Sequence, residues 1–228
     1  MYSQIAGTGA WFATHGHGRG AGRETMLAVL PFENDGPASD EYFADGLTDA
    51  ITNRLASLHG LGVIDRRSAR QYKSTTKSAR DIGRELGVQY VLEGTVRWAK
   101  DTSGAQKVLI TPTLVNTNTL SSKPAGGPYI VVPSDVFQVD SDVATRVADA
   151  LDVTLNPHER HVLESRPTTN PDAYDAYLRG DAIDKDNDAM SLNANNVRLA
   201  IEQYQQALKL RPDLTAAKSA FSRLQPGP

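Results

Sequence analysis

Residues 84–97 read "RELGVQYVLEGTVR", and they hold two structural states in fourteen letters. The first letters close a charged helical phrase, "SARDIGREL" at 78–86, in which Ala79, Ile82 and Leu86 share one face. Ser78 suits its N-cap, and Gly87 suits the left-handed residue that stops it. From Tyr90 onward the spacing becomes alternating. Tyr90, Leu92, Val96 and Trp98 fall on one face of a strand, and Val91, Glu93, Thr95 and Arg97 on the other. "KDTSGAQ" is a turn, and "KVLITPTLVNT" at 107–117 returns as the second strand of a hairpin. Pro112 places an edge or a bulge in that strand.

Upstream, "TMLAVLPFEN" at 25–34 is an apolar run closed by Pro31, as in a strand buried on both faces. "NDGPAS" is a turn cluster. In "DEYFADGLTDAITNRLASLHG", Phe43, Leu47, Ile51, Leu55 and Leu58 form one helical stripe. Gly46 costs about 1 kcal/mol against Ala inside a helix, so the expectation is a short turn at 40–44 before the main helix. "LGVID" at 61–65 is a short strand, and "RRSARQYKSTTK" an exposed polar connection. Downstream, "NTLSSKPAGG" is a loop and "PYIVVP" at 128–133 a fifth strand. Residues 134–151 make a helix capped by Ser134, with Val139, Val143, Val147 and Leu151 on its stripe. The order βαβαββ(β)α predicts an α/β, or α+β layered, domain over 25–153: a mixed sheet of about five strands with three helices.

The pattern changes after a polar linker at 154–170. Ala200, Tyr204, Ala207 and Pro212 match the second helix of a tetratricopeptide (TPR) unit and the proline that ends it. "PDAYDAYLRG" at 171–180 would be its first helix, separated from the second by the polar insertion "DKDNDAMSLNANN". "LTAAKSAFSRL" resembles the start of a next unit. Residues 171–228 are thus expected to form a partial TPR-like arm, which either leans on the α/β domain or begins a longer array.

Composition narrows the function classes. The chain has 228 residues, 24 Lys and Arg against 27 Asp and Glu, and no cysteine. A formal charge of −3 gives no footprint for nucleic acid. The lack of cysteine excludes disulfides, Cys-zinc sites and thiol catalysis, and suits the cytoplasm or a disulfide-free periplasmic protein equally. No run approaches the roughly 20 apolar residues of a membrane span. Residues 1–24 lack the basic region of a signal peptide and are expected to be a flexible leader.

Three phrases in this order, "LAVLPFEN", "EYFADGLTDAITNRL" and "IGRELGVQYVLEGTVR", resemble the TolB amino-terminal-like (FlgO-type) domain. The resemblance covers residues 25–153. "NPDAYDAYLRG" followed by "AIEQYQQALKLRPD" is similar to the TPR segment that commonly follows that domain. It implies a protein-interaction or sensory part of a bacterial signalling protein, without catalytic residues. The output module of such a protein is a winged-helix regulator, an adenylate cyclase or a serine/threonine kinase. The stretch "NTNTLSSKPAGGPYIVV" departs from the family, being longer and without its tryptophan-bearing turn.

Chemistry-bearing motifs are few. "GHGRGAG" at 16–22 lacks the flanking strand and helix of a phosphate loop, and His15 and His17 alone make a weak metal site. "HERH" at 158–161 has its histidines at i and i+3, where a zinc protease needs i and i+4, and reads as a solvated helix end. Asp45 and Asp49 share a helix face but would need burial to act as an acid–base pair. No catalytic residue, cofactor or metal is expected. The candidate ligand- or partner-binding residues are Arg66, Arg67, Arg70, Tyr72 and Lys73, a basic group beside a strand end. Tyr174, Tyr177 and Arg179 are candidates for contacts made by the arm. A protein partner is the expectation, with a small-ligand or nucleotide-binding regulatory domain as the alternative.

Overall fold

The computed structural model describes residues 24–132, 136–165, 168, 170–190 and 194–225, without the side chains of 136–138 and 186–190. Residues 1–23 of the expected leader, with its glycine run, His15 and His17, and the Ser134 cap lie outside the described residues. The elements are β1 (Thr25–Val29), β2 (Glu33–Asp35), a 3-10 turn (Ala38–Asp40), α1 (Glu41–Ala56), β3 (Leu61–Val63), α2 (Arg66–Arg70), α3 (Ala79–Leu86), β4 (Tyr90–Lys100), β5 (Gln106–Asn116), β6 (Ser122–Pro124) and β7 (Tyr129–Val131), followed by α4 (Val136–Ala150), α5 (Pro157–Glu164), α6 (Pro171–Met190), α7 (Ala194–Leu210) and α8 (Thr215–Leu224). The fold is α+β with a mixed sheet.

The sheet runs β3-β1-β4-β5-β6, with β2 also on β4 and β7 also on β5. β1 is parallel to β3 and β4, while β4 and β5 are antiparallel over the whole hairpin, from Tyr90 opposite Asn116 to Lys100 opposite Gln106. At the joint into this hairpin, Ser78 caps α3 by accepting from the Asp81 amide. Gly87 ends the helix at φ +69°, a left-handed conformation that costs glycine nothing. β1 is buried on both faces as its composition requires: Leu27 and Val29 enter the main core, Ala28 a smaller one. The main core lies between Leu92, Val96, Val108 and Ile110 of the hairpin and the stripes of α1 (Leu47, Ile51, Leu55) and α4 (Val139, Val143, Val147). On the opposite face Ile82 of α3 and Tyr72 cover Val91 and Val115. Beyond them Glu93, Arg97 and Thr111 are exposed, as is Ile130 at 72%.

The structure departs from the sequence expectations in five places, one being α6, expected over 171–180, which continues to Met190 through part of the polar insertion. α1 runs unbroken through Gly46. Residues 66–70, expected as exposed connection, are helical because Asp65 caps the segment, accepting from the amides of Arg67 (2.8 Å) and Ser68 (3.3 Å). Within 154–170, α5 forms on a capping box between Asn156 and Glu159. β2 and β6 raise the strand number to seven. The helical arm leans on the α/β layers. Tyr174 and Leu178 of α6 join the main core, while α6, α7 and α8 share small clusters built on Ala173, Ala207 and Leu214 and on Ala200 and Tyr204.

Candidate functional site

Of the basic residues at 66–73, Arg66 and Lys73 meet carboxylates of α1. Arg66 pairs with Asp49 at 2.5 Å, and Lys73 with Glu41 at 2.7 Å and Asp45 at 2.8 Å. Tyr72 is core: its ring is buried and its hydroxyl donates to Glu85 at 2.7 Å. Arg67 is exposed and Arg70 half-buried. Arg66 and Lys73 are thus brought to α1, whereas Tyr72 packs with α3 on the opposite face of the sheet; all three are engaged within the chain.

The arm candidates hold the arm to the domain. Tyr42 of α1 donates to Asp175 at 2.5 Å. Arg179 donates to the Tyr42 oxygen at 2.7 Å, with its guanidinium carbon 4.3 Å from the ring centroid. Tyr174 is buried, and Tyr177 lies between Tyr174 and Tyr204, at centroid distances of 5.8 and 6.1 Å. Lys185 of α6 reaches back to Asp49 at 2.6 Å and also pairs with Asp181. Burial pushes the Asp49 carboxyl above its ordinary range, against the opposing pull of Lys185 and Arg66.

Below this seam sits a feature that no sequence pattern announced. Arg54 of α1 is 8% exposed. It donates to the carbonyls of Val162 (3.0 Å), Leu163 (2.8 Å) and Ser165 (2.8 Å), and its Nε lies 3.2 Å from Asp140 Oδ2 of α4. One guanidinium thus ties α1 and α4 to the chain leaving α5. Asp140 Oδ1 is buried with no hydrogen-bond partner. Burial pushes this carboxyl up to about 6, against the pull of Arg54. A cavity of about 330 Å³ opens here, lined by Arg54, Asp140, Asp49, Lys185, Tyr174 and Tyr177 among others. A second groove of about 390 Å³ runs along α6 and α7 past Arg179, Gln203 and Leu210.

Glu159 is the opposite case. It accepts from the amides of His59 (2.6 Å) and Asn156 (2.8 Å) and lies 2.7 Å from His59 Nδ1. These hydrogen bonds, with that from the His59 amide the strongest, hold its carboxyl down at about 2. The "HERH" stretch thus supplies a structural cap. The two acids set opposite pH trends. Asp140 binds its proton more tightly folded than unfolded, so its contribution falls as pH rises from about 4 through 6. Glu159 stabilises above its unfolded value, and that contribution is lost as pH falls from 4.5 toward 2. Asp140→Asn is therefore expected to flatten the change in urea midpoint between pH 4.5 and 7. An unchanged slope would place the titration elsewhere.

Among the described residues no group of three or more His, Cys, Asp or Glu is placed to hold a metal ion, and no helix is long and apolar enough to cross a membrane. The family described as "HilA/YgeH-like transcriptional regulator, second domain" matches residues 23–111. A Rhizobium meliloti (strain 1021) protein named "Putative adenylate cyclase 3" is 35% identical over 198 residues, covering 86% of this chain and 32% of its own length. The chain therefore spans about a third of that relative. Among solved structures, TolB from Acinetobacter baumannii is 15% identical with a TM-score of 0.38, the likeness covering 57% of this chain and 28% of that one. Lipoprotein GNA1162 from Neisseria meningitidis is 15% identical with a TM-score of 0.36, covering 55% and 99%.

Proposed function

We propose that this chain is a non-enzymatic regulatory and protein-interaction module of a bacterial signalling protein, a TolB-N-like α/β domain carrying a TPR-like arm. One observation carries the reading. The stretch shared with the cyclase-named protein is longer than everything that precedes α6, so it reaches into the arm while spanning only a third of that protein. That extent supports reading domain and arm as one unit carried beside a larger remainder. A regulator's second domain matches residues 23–111 of the α/β part, which supports a regulatory use of this unit. The charged side chains support the reading, because Arg66, Lys73 and Lys185 pair with carboxylates of α1 and so hold elements together. The output, whether cyclase, kinase or winged-helix regulator, would lie in the remainder of a parent protein.

The purified chain is expected to form no cyclic AMP from ATP with Mg²⁺ or Mn²⁺, and to retain a defined protein when used as bait in a bacterial lysate. Nucleotide turnover would overturn the reading, as would a bait that retains nothing. A second reading, a small-ligand-binding regulatory domain, is favoured by the seam cavity and the unpaired oxygen of Asp140.

A further inference from the structure

We propose that the cavity between α1, α4 and α6 binds a small organic cation, an alkyl diamine or guanidine, through an N–H group donated to Asp140 Oδ1. This rests on the second reading above and gives it a ligand class. The Asp140 side chain is 3% exposed, and its Oδ1 is the one buried side-chain oxygen or nitrogen left without a partner among the described residues. Native interiors rarely leave such an atom unpaired without a role for it. Arg54 does not supply the missing donor, because its nitrogens are engaged by three carbonyls and by Oδ2. Lys185 is likewise held by Asp49 and Asp181.

The charge of the wall points to the same class. Asp49, Asp140 and Asp181 line the cavity with Arg54 and Lys185, and Arg66 pairs with Asp49 beside it, which leaves Asp140 Oδ1 as the oxygen without a donor. A phosphate or carboxylate ligand would enter beside those acids, whereas an ammonium or guanidinium supplies the donor that Asp140 Oδ1 lacks. Tyr174 and Tyr177 add aromatic surface of the kind that favours cations. The cavity's 330 Å³ lies at the small end of ligand pockets, which suits a molecule of few heavy atoms. Its walls come from the α/β layers and from the arm alike, so an occupant would fasten one to the other. A cation-dependent hold on the arm is how such a module would pass a signal.

The experiment uses the full chain, with thermal shift and calorimetric titration against 1,4-diaminobutane and 4-guanidinobutylamine. Butane-1,4-diol, succinate, ATP and matched sodium chloride serve as comparisons. Saturable stabilisation by the two cations alone is expected. Asp140→Asn should weaken it at least tenfold, and Asp149→Asn, an exposed residue of α4, should leave it intact. Because Asp140→Asn also disturbs Arg54, Ala50→Leu provides a second variant: it fills the cavity from α1 and should abolish binding while the protein stays folded. Binding that survives both variants overturns the site. Equal or better binding of the diol, succinate or ATP overturns the ligand class and leaves a ligand-binding domain standing. No binding by any compound overturns the class and the ligand reading together, and leaves the protein-interaction reading to its own test.

Discussion

Arg54→Ala is expected to destabilise the full chain by about 3–5 kcal/mol, the usual loss when one member of a buried ion pair is removed. The magnitude follows from what the substitution leaves behind. Asp140 would remain buried without its guanidinium partner, and the Ser165 carbonyl would lose its Arg54 donor, while those of Val162 and Leu163 would keep only the bonds donated by Ser165 and Ser141. The loss should appear as a lower urea midpoint by circular dichroism, and as faster proteolysis of the chain between α5 and α6. Arg54→Met combined with Asp140→Leu should lose less than Arg54→Ala, because no charge is then stranded. A loss below about 1 kcal/mol for Arg54→Ala would mean that the guanidinium is not the tie between α1, α4 and the exit of α5.

That tie was invisible in the sequence for a physical reason. Arg54 and Asp140 lie on amphipathic helices, α1 and α4, in which a charged residue ordinarily faces water. Only the fold shows that α5 and its exit cover them. The hairpin was different: alternation from Tyr90 to Trp98 states which side is buried, and Leu92 and Val96 lie fully inside. β2 (Glu33–Asp35) and β6 (Ser122–Pro124) are polar or proline throughout, so unlike the equally short β3 and β7 they carry no apolar run to register. α5 was read as linker because of its two buried residues one is Glu159, a carboxylate satisfied by backbone amides. The basic residues at 66–73 resemble an anion site in sequence because the counter-charges of Arg66 and Lys73, namely Asp49, Asp45 and Glu41, lie well upstream on α1. Charge clusters are legible in sequence; their pairing is a tertiary fact.

Gly46 is the place where sequence and structure disagree most usefully. Glycine inside a helix argued for a break, yet α1 continues through it, and the reason lies in the arm. A Cβ at Gly46 would stand 2.5 and 2.9 Å from the two methyl carbons of Leu178 on α6. Leu178 is 4% exposed within the main core and has little room to move aside. Two opposing terms then fix the effect of Gly46→Ala. Helix propensity favours alanine by about 1 kcal/mol, while forcing a methyl into a packed seam costs about 1–3 kcal/mol. The expected outcome is a net loss of stability, larger for Gly46→Val, with amide protection falling along α6 before it falls along β4 and β5. A gain of about 1 kcal/mol, as at a solvent-facing helix glycine, would show that α6 does not pack on α1 in solution. Leu178→Ala removes the obstructing methyls, so adding Gly46→Ala to that variant should be far less harmful than adding it to the unaltered chain. Such non-additivity is the signature of two side chains competing for one space. It would identify Gly46 as the residue that lets a helical arm lie directly on the α/β domain.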